Sequence, residues 1–173
     1  MPASSETGTI ADARPGESSK LYQEGIIAGL IGAATVAGWF LILDSLTSRP
    51  LYTPTVLGTA LFRGGEGLAS GDPLPISTEM VLMFTWVHGL VFCILGCIAS
   101  RLLGIAERNP NLGFGVLLFF VFFEFGFLVI AMAFAEPVLH ALTWPAILIG
   151  NLLAAGTMGF YFWRRHPRLT VWP

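Results

Sequence analysis

Residues 25–46 read GIIAGLIGAATVAGWFLILDSL, a run whose single ionisable side chain, Asp44, comes near its end. At a helical rise of about 1.5 Å per residue, such a run crosses a bilayer core of about 30 Å. Gly25, Gly29, Ala33 and Ala37 recur every four residues, with Ala28 and Gly32 alongside. Small residues at that spacing share one helix face and let a second backbone come close. In lipid, where apolar side chains gain little by leaving the solvent, close packing of this kind holds helices together. The stretch therefore predicts a transmembrane helix that meets its neighbours through its backbone.

Three further blocks have the same character. The first apolar run begins near Tyr22 and ends at Leu46, and the others span about 79–105, 113–134 and 144–163. Asn109-Pro110-Asn111 separates the second from the third, and Pro137 follows the third. Thr143-Trp144-Pro145 supplies a capping hydroxyl and a first-turn proline to the fourth. Composition agrees: 54% of the 173 residues are hydrophobic and 12% are charged, about half the charged share of a soluble domain. Mean hydropathy is +0.73. A formal net charge of −2 with scattered basic residues offers no nucleic-acid groove. Cys93 and Cys97, one turn apart in the second block, suit small packing positions better than a disulfide.

The expected fold is all-α and polytopic, with four transmembrane helices and a short interfacial helix in the loop between the first two. Residues 1–20, rich in Ser and Gly, form a tail too polar to fold alone, ordered if a partner orders it. Residues 21–164 form the transmembrane domain and 165–173 a basic tail. The first apolar run starts too far from Met1 for a signal peptide, so this helix is read as retained. In the loop, TPTVLGTALFRGG (53–65) offers Thr53 as a cap, Pro54 as a first-turn residue and Gly64-Gly65 as a stop. Val56, Leu57, Ala60 and Leu61 form its apolar stripe, to lie on the interface or over the bundle.

With four spans, the N-terminal tail, the 101–111 turn and the C-terminus share one side. That side holds Arg14, Lys20, Arg101, Arg108, Arg164, Arg165 and Arg168, against Arg49 and Arg63 on the other. Basic excess marks the cytoplasmic face. Both termini are therefore expected in the cytoplasm.

Ionisable groups within spans are costly and are functional candidates by default. Counted along the helices, His88 lies about 13 Å and Glu124 about 12 Å below the outer surface. A short turn joins their helices, so His88 and Glu124 are expected to pair. Such a pair either fixes helix register or handles a proton or ligand. Asn151, about 9 Å below the same surface, is a supporting polar residue. Asp44 falls at the outer interface, where it pairs with Arg49, caps the loop helix at Thr53 and Pro54, or is solvated.

No cofactor is predicted, although lipid contact is expected. The His88-Gly89 step would admit a chlorin or haem, and the phenylalanines of the third block suit a quinone as they suit lipid. Glu136 and His140 flank Pro137 away from Glu124 and lack the Glu-x-x-His pairs of a di-iron bundle, so no metal site is expected. The C-terminal FYFWRRHPRLTVWP (160–173) reads as an interfacial anchor of aromatic and basic residues, with His166 a part of it rather than a ligand.

EGIIAGLIGAATVAGWFLILD (24–44), RPLYTPTVLGTALF (49–62), WVHGLVFCILG (86–96), the Glu124 helix and GNLLAAGTMGFYFW (150–163) give the chain its pattern. It resembles the small four-helix integral membrane proteins of many bacteria that carry no assigned activity. The resemblance implies a bacterial cytoplasmic membrane and no reaction. The leading functional expectation is a structural or accessory subunit of a larger respiratory or photosynthetic membrane assembly, in contact with lipid and other integral membrane subunits. Small-residue faces on the first helix, on the second (Gly89, Cys93 and Cys97) and on the fourth (Gly150, Ala154, Ala155 and Gly159) point to such partners. A nucleotide loop, a cysteine metal motif and a catalytic triad are all missing from the sequence, which leans against an enzyme. One alternative is a proton-coupled transporter or small channel using His88, Glu124 and Asn151. Another is a pigment- or haem-binding protein built on His88.

Overall fold

A computed structural model describes residues 15–68, 72–108 and 144–166. Among them the chain forms four helices and no strand: α1 (Pro15–Leu46), α2 (Tyr52–Phe62), α3 (Thr78–Arg108) and α4 (Trp144–Arg165). Three contain stretches long and apolar enough to cross a membrane: Ser19–Leu46, Thr78–Glu107 and Trp144–Arg165. The 113–134 block, with Glu124, lies outside the described residues. α1 starts at Pro15, ahead of its apolar run, where a first-turn proline sacrifices no helical hydrogen bond.

α1 is the wall shared by α3 and α4. Gly25 faces Gly96 and Cys97, Gly29 faces Phe92 and Cys93, and Ala33 faces His88, so α3 runs antiparallel to α1. The two backbones nearly touch. A Cβ on Gly25 would stand 2.5 Å from the Cys97 Cα, and a Cβ on Gly96 would collide with the Gly25 carbonyl. Side chains of α3 then reach carbonyls of α1. Ser100 Oγ donates to Leu21 at 2.8 Å, the Cys97 thiol approaches the Tyr22 carbonyl at 3.7 Å, and His88 Nε2 lies 3.3 Å from the Ala33 oxygen.

On its other flank α1 meets α4, again antiparallel. Gly32 faces Met158, the Thr35 and Thr157 hydroxyls stand 3.1 Å apart, and Trp39 Nε1 donates to the Ala146 carbonyl at 2.9 Å. Gly150 lies beneath the rings of Trp39 and Phe40. Ala28, Ala99 and Phe162 close a small core among the three long helices. Outward-facing side chains are apolar, among them Leu30, Ile42, Leu82, Leu90 and Leu152. Exposed Trp144 and Trp163 stand about 28 Å apart along α4 at the helical rise. That separation matches the distance between the aromatic belts of a bilayer core of about 30 Å.

Several positions differ from the sequence reading. Ala37 is exposed and Val36 is buried instead, because the buried face of α1 turns from α3 toward α4 in its second half. Among the described residues, Gly89 and Gly159 have nothing within 4 Å of an added Cβ, so neither belongs to these contacts. α2 buries Thr55, Val56, Gly58 and Thr59, while Leu61 is 56% exposed. The reason is close approach: a Cβ on Gly58 would lie 2.5 Å from the Met80 carbonyl, and only that face of α2 fits against α3. The threonine hydroxyls are satisfied within the helix, Thr55 on Leu51 at 2.9 Å and Thr59 on Thr55 at 2.8 Å. Val56 also packs against Ile147 of α4, so α2 contacts the starts of both α3 and α4.

Gly96→Ala should destabilise the protein by about 1–3 kcal/mol, because the added methyl has no room between two backbones. Gly38→Ala, with nothing within 4 Å among the described residues, should be neutral or stabilising by up to about 1 kcal/mol through helix propensity. Reversible unfolding in mixed micelles measures both; equal effects would contradict the packing described.

Candidate functional site

Two ionisable groups among the described residues are buried, Asp44 and His166, and they lie toward opposite ends of α1. Asp44 occupies the α2 end. Its carboxylate accepts the Thr53 N–H at 2.7 Å and the Thr53 hydroxyl at 2.7 Å. Thr53 is therefore not the cap of α2. The residue preceding the helix is Leu51, in a left-handed conformation (φ 68°) with no capping side chain. Asp44 supplies the cap from the preceding helix, satisfying a first-turn N–H and setting a negative charge at the positive end of α2. Arg49 turns to the Tyr52 ring instead, its guanidinium carbon 5.7 Å from the ring centroid.

At the end where the described chain starts and finishes, His166 follows α4 directly. Its Nδ1 lies 2.9 Å from Glu107 Oε1 on α3, and its Nε2 lies 3.2 Å from Glu24 Oε2 on α1. The imidazole side chain is 10% exposed, against 24% for Glu24 and 31% for Glu107. A neutral imidazole has one donor and one acceptor nitrogen. Both contacts are hydrogen bonds only when the ring carries two protons or one carboxyl carries one. The group therefore joins the end of α4 to α3 and α1. The carboxylates sit on opposite sides of the ring, which makes this a bridge rather than a shell around one metal ion. The sequence reading left His166 in a solvated anchor. The usable signal was that Glu24, Glu107 and His166 each border an apolar run on the same side.

His88 sits between these ends, half-buried on α3. Its ring lies 5.5 Å from Phe84 and 4.7 Å from Phe92, centroid to centroid. Because a carbonyl only accepts, the contact with Ala33 places the proton on Nε2 and leaves the Nδ1 lone pair. Glu124, the expected partner, lies outside the described residues. Asn151 is half-buried on α4 beside Gly150, at the level of Trp39. Trp39 is about 9 Å along α1 from Ala33, where His88 makes its contact, and Asp44 is about 16 Å from it. The fold thus spreads Asp44, Asn151 and His88 along α1 and does not gather them.

Comparison with protein-family models, curated proteins and solved structures finds no match.

His166→Phe fills the same space but leaves two carboxylates facing each other without the intervening proton donor. Its melting temperature should fall, and His166→Phe with Glu107→Gln should recover part of the loss. Non-additivity in that double-mutant cycle is the signature of direct coupling; strictly additive effects would remove the bridge as a structural element.

Proposed function

We propose that this protein is a structural or accessory subunit of a larger bacterial membrane assembly, respiratory or photosynthetic, spanning the inner membrane four times with both termini in the cytoplasm. The observation that carries the reading is the use made of its buried polar groups. Asp44 fastens α1 to α2, and His166 fastens α4 to α1 and α3. Half-buried His88 adds a contact from α3 to α1. These groups build a scaffold. On α4, Ala155 and Gly159 stay exposed, a close-approach face that the described bundle leaves open to a helix from another subunit.

Support for the fourth span comes from helix direction. α3 and α4 both run antiparallel to α1, so they are parallel to each other. The chain ends α3 on one side of the bundle and begins α4 on the other, which supports one further crossing between them. The basic count then favours cytoplasmic termini. The runner-up, a proton-coupled transporter or small channel, draws more support from the Glu24–His166–Glu107 bridge than from His88 and Asn151, which lie at different depths.

Solubilisation in a mild detergent followed by size separation tests the leading reading. The expected result is a stoichiometric integral membrane partner that Gly159→Leu removes while the melting temperature holds. A solitary protein that carries protons across liposomes, and loses that activity in His166→Phe, would replace the subunit reading with the transporter.

A further inference from the structure

A groove of about 440 Å³ opens between α1 and α4, lined by Ile31, Gly156, Thr157, Phe160, Tyr161 and Arg164. Along most of its length it offers apolar surface. The Thr157 hydroxyl is already engaged, 3.1 Å from the Thr35 hydroxyl and 3.0 Å from the carbonyls of Leu153 and Ala154. Gly156 makes a notch, since a Cβ there would meet nothing within 4 Å among the described residues. Arg164, in the last turn of α4, stands about 12 Å from Gly156 along the axis. Its guanidinium lies over the Phe160 ring, 5.4 Å from the centroid. Among the described residues no carboxylate pairs with it.

We propose that this groove binds one anionic phospholipid, with its phosphate on Arg164 and an acyl chain against Ile31, Gly156 and Phe160. Charge complementarity selects the occupant: one cation at the interfacial end and apolar walls below it, with the Tyr161 hydroxyl, buried and without a hydrogen-bond partner among the described residues, as the one further polar group. The proposal rests on the membrane-spanning reading and not on membership of a larger assembly.

Native mass spectrometry of the purified full chain, released from nanodiscs of equal phosphatidylglycerol and phosphatidylcholine, tests it. The wild type should retain one phosphatidylglycerol in preference to phosphatidylcholine. Arg164→Gln should lower that preference about fivefold, the worth of one basic residue near an anionic surface. Arg165→Gln, whose guanidinium lies over Tyr161 at 5.7 Å and outside the groove lining, should leave it unchanged. Gly156→Leu should abolish retention at an unaltered melting temperature. Equal retention of the two lipids by the wild type would overturn the proposal. So would equal losses in Arg164→Gln and Arg165→Gln, which would show diffuse basic attraction in place of a site.

Discussion

Gly25, Gly29 and Gly96 bring the backbones of α1 and α3 so close that no side chain fits between them. The rest of the bundle follows from that approach. It puts the α1 carbonyls within reach of Ser100, Cys97 and His88, whose polar groups would otherwise face lipid or one another. Interhelical hydrogen bonds in membranes average only about 0.6 kcal/mol each, so they tune a contact that van der Waals packing creates. A helix that presents glycine to one neighbour still has room for a second. Thr35, Trp39 and Gly32 serve α4 on the adjoining face.

Polar side chains complete the ends of this assembly. Asp44 does at one end what a capping serine does in a soluble helix, but from a different helix, and so ties the turn after α1 to α2. At the other end His166 gathers α1, α3 and α4 through a shared proton. The two devices differ in chemistry. The Asp44 cap is a carboxylate accepting from neutral donors. The His166 bridge has more acceptors than protons unless the medium supplies one, and it lies where water reaches its carboxylates.

The long helices were legible in the sequence because nearly charge-free runs such as 25–46 and 144–163 leave little alternative to a span. Helix faces were legible only in part. Gly25, Gly29, Cys93 and Cys97 meet as the four-residue spacing implies, but Ala37 shares that spacing and is exposed, since spacing does not say where a neighbouring helix ends its contact. The Asp44–Thr53 cap could be anticipated, because nine residues of chain keep the two near each other. The His166 bridge could not be read the same way: it joins residues 59 and 142 positions apart, and each member alone looks like an ordinary interfacial charge. On α2, Val56, Leu57 and Ala60 pack inward as their spacing implies, while Leu61 faces outward because the face carrying Gly58 is the one that closes on α3.

The central claim is that α3 and α4 are parallel to each other on either flank of α1. Spin labels placed at Ser45 and Trp144, both at the α2 end, should be close. Labels at Ser45 and Trp163 should be farther apart by on the order of 15 Å, given the helical rise along α4. Pulsed dipolar distances in reconstituted bilayers decide between the two orders. The predicted result is the shorter distance to Trp144; a shorter distance to Trp163 would invert α4 and contradict the account.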